Sequence, residues 1–258
     1  NRALAARDGA ILPLIAETGG INAMIVDATA LPEQVADDVV LSAFRSAGQR
    51  CSALRLLLVQ EDVADRMIAA VAGAARELTV GDPRDLATDL GPVIDAGAKQ
   101  RLDAHIAAMT ASARLHYAGA AMSGLTVAPH IFEIGGVADL REEVFGPILH
   151  VARYPADGLG SVIAAIRAGG YGLTLGIHSR IEETAERITE ALPHGNVYVN
   201  RNMIGAVVGS QPFGGSGLSG TGPKAGGPHY LARFATERTM TVNTAAAGGS
   251  VGLITLEG

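Results

Sequence analysis

A chain of 258 residues that is 48% hydrophobic but only 4% aromatic is long enough to bury one large core of Ala, Val, Leu and Ile, with room for an appendage. Its net charge of −6 at pH 7 disfavours a nucleic-acid backbone as partner, because that partner needs a basic surface. The single cysteine excludes an intramolecular disulfide framework and fits a reducing cytoplasm, and no apolar run nears the roughly 20 residues of a membrane helix.

The chain opens on Asn1-Arg2-Ala3-Leu4-Ala5, which leads into no signal-like apolar core and, lacking Met, reads as a cut. Short apolar runs predict strands at Ile11–Ile15, Asn22–Val26, Leu54–Val59, Ile131–Ile134, Ile148–Tyr154, Leu173–His178 and Asn196–Asn200. Helical periodicity falls between several of them, at Pro32–Ala47, Val63–Ala75, Ala96–Ala113, Leu159–Ala168 and Glu182–Leu192. In the first of these, Val35, Val39, Ala43 and Ala47 form one stripe, with Pro32 at the start and Gly48 at the end where each is tolerated. The alternation predicts an α/β domain with an open, largely parallel twisted sheet covered by helices. After about residue 205 the composition changes. The stretch Gly209–Gly227 is so rich in glycine that it must be a loop approaching something closely. A helix-like turn around Tyr230–Phe234 follows, then an alternating strand from Arg238 to Thr244 that Ala245–Gly249 turns back into Val251–Leu256. Such a hairpin is marginal alone and needs a sheet, here that of a neighbouring subunit.

Cys51 sits in Gly48-Gln49-Arg50-Cys51-Ser52, just past a helix. On its own a lone cysteine reads as an inert buried hydrophobe, but here glycine frees the backbone and Arg50 favours the thiolate, which the helix C-terminus opposes. A thiolate adds to an aldehyde carbonyl to give a thiohemiacetal ready to lose hydride, and the resulting thioester then needs a carboxylate to activate water. Glu17, in Glu17-Thr18-Gly19-Gly20, is the candidate base; alone it reads as a solvated loop-edge charge.

Glu17–Gly20, Gly48–Cys51, Glu142–Pro147 and Gln211-Pro212-Phe213-Gly214-Gly215 stand in an order and at spacings that resemble the aldehyde dehydrogenase superfamily. The resemblance implies Cys51 as nucleophile, its N–H as half of the oxyanion hole, Glu17 as the deacylation base, and Glu143 and Phe145 as contacts to the nicotinamide ribose and ring of NAD. Cys51-Ser52 and the run Asn200–Gly209 leading into Gln211–Gly215 are similar, more closely, to glutamate-semialdehyde (Δ1-pyrroline-5-carboxylate) dehydrogenases, in particular the C-terminal portion of the bacterial bifunctional proline-utilisation family. That resemblance implies an aldehyde bearing a carboxylate as substrate, held by the Ser52 hydroxyl and the amides of Gly205 and Ala206 with Phe213 beside them. Their small side chains suit close approach of an anion.

By the same resemblance residues 1–16 are a remnant of the cofactor domain, 17–227 the thiol domain with its Gly-rich substrate loop, and 228–258 a C-terminal helix and β-flap for homo-oligomer contacts. Most of the NAD-binding domain, and the FAD-dependent proline dehydrogenase part of such a bifunctional protein, would then lie outside the chain. The isolated chain is accordingly expected to form no NADH unaided. Another semialdehyde dehydrogenase, such as one for succinate semialdehyde, or a non-catalytic assembly module are the alternative readings. Gly215-Ser216-Gly217-Leu218-Ser219-Gly220 fits G-x-G-x-x-G, but Pro212 before it and Pro223 after it leave no strand and helix for a dinucleotide fingerprint. No histidine spacing suggests a metal. His150 and His178 read as satisfied core or rim residues, Glu182, Glu183 and Glu186 as a solvated helix face, and Asn200 and Asn202 as substrate-loop residues or as caps and turn formers.

Overall fold

In Ala23–Val26, Leu56–Gln60, Ile148–Tyr154 and Thr174–His178 nearly every side chain is buried regardless of which way it points. Only a strand covered on both faces tolerates that pattern, which is why these segments form the centre of a parallel sheet. The computed structural model describes residues 2–120 and 123–243. A short helix, α1 (Arg2–Ala5), precedes β1 (Ala23–Val26), α2 (Pro32–Phe44), β2 (Leu56–Gln60), α3 (Glu61–Arg76) and α4 (Ala96–Ser112). These lead to β3 (Arg114–Ala118), β4 (His130–Glu133), β5 (Ile148–Tyr154) and α5 (Leu159–Ala168). Then come β6 (Tyr171–Gly172), β7 (Thr174–His178), α6 (Glu182–Ala191), β8 (Asn196–Val199) and β9 (Ser216–Gly217). The main sheet has seven strands in the order β3-β4-β5-β2-β1-β7-β8, while β6 and β9 form a separate pair. Every pairing in the main sheet is parallel except β3 with β4.

The period of two splits each strand between two cores. Met24, Val26, Leu57, Val59, Leu149 and Val151 face α2 and α3 with Phe44, Val39 and Met67. Ala23, Ile25, Leu56, Leu58, Ile148 and Ala152 face the other way, onto Leu102 of α4, Ile163 and Ile166 of α5 and Ile188 of α6.

Several expectations are corrected. Ile11–Ile15 is not a strand: Ile11 is 101% exposed, Pro13 withholds a donor, and no partner strand lies beside it among the described residues. The helix beginning at Pro32 ends at Phe44 rather than Ala47, because Ser46 and Ala47 take left-handed φ of 58° and 52°. Arg114–Ala118, whose mixed polar sequence carried no strand signal, forms the antiparallel edge strand β3. The stretch around Tyr230–Phe234 is one 3₁₀ turn, Leu231–Phe234. Arg238–Asn243 form no strand, and the remainder of the expected hairpin, residues 244–258, lies outside the described residues. His150 is buried and bonded, Nε2 2.9 Å from His105 Nε2 and Nδ1 3.2 Å from the Arg55 carbonyl. His178, by contrast, is not a satisfied histidine: both ring nitrogens are buried without a hydrogen bond, with the Asp38 carboxylate 3.5 Å away.

Burial pushes both of these histidines down to about 4. The folded state therefore refuses protons that the unfolded chain accepts below its ordinary histidine pKa of about 6.5. Their contribution is complete above that pH and is lost as pH falls toward about 4, by up to on the order of 3 kcal/mol each. Urea unfolding at about pH 7.5, 5.5 and 4.5 should show this decline, and His178→Asn should flatten it. An unchanged slope in that variant would contradict the assignment.

Candidate active site

The loop between α2 and β2 is turned by three successive left-handed residues, Ser46, Ala47 and Gly48, the last with φ 65°. A Cβ on Gly48 would stand 2.1 Å from the Gly146 carbonyl oxygen, so glycine is required both by conformation and by the approach of the Glu142–Pro147 loop. Beyond it, four consecutive carbonyls are held from inside the molecule. Arg55 Nη2 donates to the Arg50 carbonyl at 2.9 Å. The amide of Asn22 donates to the carbonyls of Cys51 at 2.7 Å and Ala53 at 2.8 Å. Thr174 Oγ1 donates to that of Ser52 at 3.2 Å. Asn22, Arg55 and Thr174 are all buried. With its carbonyls fixed inward, the segment leaves the amides of Cys51 and Ser52 free to favour the negative charge of the Cys51 thiolate.

The thiol is free and half-buried. Burial is the main force pushing its pKa up, and the charges of Glu17 and Glu143 add to it, against the pull of the two amides. Gln49, Arg50, Cys51, Ser52, Gly205, Ala206 and Phe213 line one cleft of about 430 Å³. Gly205 has φ 83° and nothing within 4 Å of where a Cβ would be, so its backbone faces open space. Phe213 is fixed by two backbone bonds with Ala225, of 3.0 and 2.8 Å.

Glu17 is outside that lining but close enough for its charge to act on Cys51. Its segment is laced to the Gly-rich loop: Thr18 N donates to Ser219 O at 3.1 Å and Thr221 N to Ala16 O at 3.0 Å. Gly215 N donates to Glu17 Oε1 at 3.0 Å. Although Glu17 keeps one side open to water, removal of solvent around its carboxylate raises its pKa, opposed by that N–H, Arg233 and Lys224. A carboxylate raised in this way is better suited to accept a proton near neutrality. Glu143 packs where a Cβ of Gly19 would be, its carboxylate oxygen 1.8 Å from that position, and pairs with Arg55 at 3.4 Å. The Phe145 ring, 43% exposed, has the Arg55 guanidinium 5.1 Å from its centre.

Asn22 stands before β1, Cys51 before β2 and Glu143 before β5, with Thr174 opening β7, while Gly205, Ala206 and Phe213 come from the segment after β8. The site therefore lies at the amino ends of the sheet. A larger groove of about 600 Å³ between α6 and β8, lined by Ser179, Arg180, Glu182 and Glu186, holds no thiol and lies at the carboxyl ends of β7 and β8. Sequence reasoning missed Asn22, Arg55 and Thr174 as site residues. The one available signal was a polar or charged residue set inside or beside an apolar run, as in Leu54-Arg55-Leu56. Among the described residues no cluster of metal-ligating side chains occurs, and the G-x-G-x-x-G stretch opens no helix.

A model of the aldehyde dehydrogenase family matches residues 2–240. The chain is 54% identical over 235 residues to the bifunctional protein PutA of Klebsiella aerogenes, covering 88% of this chain but 18% of that protein. A crystal structure of a variant of Bradyrhizobium japonicum proline utilization A superposes with a TM-score of 0.93 at 74% identity, over 96% of this chain and 26% of the other. A 1-pyrroline-5-carboxylate dehydrogenase from Thermus with bound NAD gives 0.80 at 36% identity, over 85% and 43%. The chain thus spans about a fifth of the length of the Klebsiella aerogenes PutA protein.

Because Cys51 is the sole thiol, iodoacetamide incorporation reports on it alone. The rate should still be climbing at about pH 9, since burial and two carboxylates oppose the thiolate. Glu17→Gln should move the profile to lower pH. A plateau already reached below about pH 8 would contradict the assigned electrostatics.

Proposed function

The chain belongs to the aldehyde dehydrogenase family, and from that membership we propose that it is the thiol-bearing catalytic part of an NAD-dependent L-glutamate γ-semialdehyde (1-pyrroline-5-carboxylate) dehydrogenase of proline catabolism. The observation that carries this reading is the cleft in which Cys51, Ser52, Gly205, Ala206 and Phe213 meet, next to a carboxylate anchored on the Gly-rich loop.

The substrate's α-carboxylate rests on the Ser52 hydroxyl and the N–H groups of Gly205 and Ala206, and Arg50 at the rim adds attraction for an anion. Cys51 Sγ attacks the aldehyde carbon, and the oxygen that becomes negative is met by the Cys51 N–H. NAD, when bound, supplies the acceptor for the hydride this adduct releases. The exposed Phe145 ring and the partly exposed Glu143 carboxylate fit contact with its nicotinamide and ribose. The thioester left on Cys51 is cleaved by water whose proton passes to Glu17, releasing glutamate and the free thiol. Aldehyde, NAD⁺ and water thereby become carboxylate, NADH and two protons.

In this reading residues 17–227 carry the chemistry, residues 228–258 serve contacts between copies of the enzyme, and residues 1–16 border the cofactor domain. FAD would belong to a proline-oxidising part elsewhere in a bifunctional protein. The setting is the cytoplasm, in keeping with a free thiol; no described helix is long and apolar enough to cross a membrane.

The longest protein containing this chain should form NADH from glutamate semialdehyde in preference to succinate semialdehyde. Cys51→Ala should abolish turnover, and Ser52→Ala should raise KM by about tenfold, the effect of losing a hydrogen bond to a charged group. Turnover that survives Cys51→Ala, or a preference for succinate semialdehyde, would overturn the reading.

A further inference from the structure

Arg55 heads the fully buried side chains by volume, at 0% exposure, although it precedes an apolar strand. A buried cation costs several kcal/mol unless paired, and replacing a buried ion pair by apolar residues is often neutral or stabilising. Its contacts point to another role. The guanidinium joins its own loop to a distant one through three acceptors: the Arg50 carbonyl at 2.9 Å, the Gly146 carbonyl at 3.3 Å and the Glu143 carboxylate at 3.4 Å. It also stands over the Phe145 ring. Its main chain is equally engaged, with N donating to Asn22 O at 3.0 Å and O accepting from His150 N at 3.1 Å. Burial draws its pKa down to about 10, which leaves it charged at neutral pH, and Glu143 and Cys51 both favour that charge. Its Nε makes no hydrogen bond, so the fork is committed to the two loops.

We propose that Arg55 is a positioning residue: one planar cation fixes the carbonyl preceding the nucleophile and the Glu143 carboxylate in a common frame, and neutralises that carboxylate beside the thiol. A planar fork spans such acceptors, whereas the compact ammonium of lysine does not. The cofactor-facing role of Glu143 rests on the proposed function; the link between Arg55 and the thiol does not.

The test uses the 258-residue chain and needs no aldehyde. The charged groups around Cys51 are Glu17, Glu143, Arg50 and Arg55, and behind Arg55 lie His150 and His105, with His150 neutral. Alkylation of Cys51 is followed against pH, with circular dichroism to confirm folding. Arg55→Met should raise the pH of half-maximal rate by about one unit. Arg55→Lys, which keeps the charge but not the fork, should raise it by less. Glu143→Gln, which removes a carboxylate beside the thiol, should lower it, and Arg55→Lys decides the matter if Arg55→Met does not fold. A merely structural arginine would leave the midpoints of the Arg55 variants in place, so an unmoved midpoint in folded Arg55→Met, or in Arg55→Lys where the former is unfolded, overturns the proposal. Failure of the aldehyde assay with these shifts intact would instead count against the proposed function alone.

Discussion

Everything at this site depends on the main-chain carbonyls of Arg50, Cys51, Ser52 and Ala53 being held from within by buried side chains. A loop that follows a helix has free carbonyls to satisfy, and leaving them unpaired in the interior costs on the order of 1–3 kcal/mol each. Here Arg55, Asn22 and Thr174 satisfy them, and the amides of Cys51 and Ser52 act to favour the thiolate. The same bonds that make the loop foldable also build a small anion-favouring surface around the thiol. Stability and chemistry share one set of contacts.

The sheet supplies the rigidity behind those contacts. Asn22 sits at the amino end of β1 between β2 and β7, so its side chain reaches the nucleophile loop on one side while its Oδ1 accepts from Thr174 N at 3.3 Å on the other. Each of these strands is covered on both faces, which leaves their ends little freedom to move. Onto this fixed edge the Gly-rich segment is tied by Glu17, Thr18 and Ala16. A Cβ on Gly214 would lie 3.1 Å from the Glu17 carboxylate and 3.2 Å from Lys224 Cα. The glycine lets an acid and a base-bearing segment close on one another. Glycine here is a condition of the site's geometry, whereas at Gly205 it serves conformation.

How much of this is legible in the sequence depends on whether a residue acts locally. The period-3.6 stripes of α2, α3, α5 and α6 and the apolar runs of β1, β2, β5 and β7 are local properties, and they name the fold class. The resemblance to the glutamate-semialdehyde dehydrogenases likewise singles out Cys51, Ser52, Gly205, Ala206 and Phe213, which line one cleft. Two errors have physical causes. Ile11–Ile15 is apolar enough for a strand, yet apolarity without a partner does not make one. Arg114–Ala118 is polar because an antiparallel edge strand exposes one side; its register shift between Leu115 and Tyr117 further breaks any alternation. Asn22, Arg55 and Thr174 were illegible for a different reason. Each acts by bonding a carbonyl supplied by a loop elsewhere, and no local pattern records that partner.

The most direct test of the central claim is the mass of the Cys51 peptide. The longest protein carrying this chain, with Glu17→Gln to slow release, would be mixed with glutamate semialdehyde and NAD, quenched in acid and digested. An acyl group on the Cys51 peptide, formed together with NADH, is the predicted result. NADH formed while that peptide remains unmodified would contradict a covalent route through this thiol.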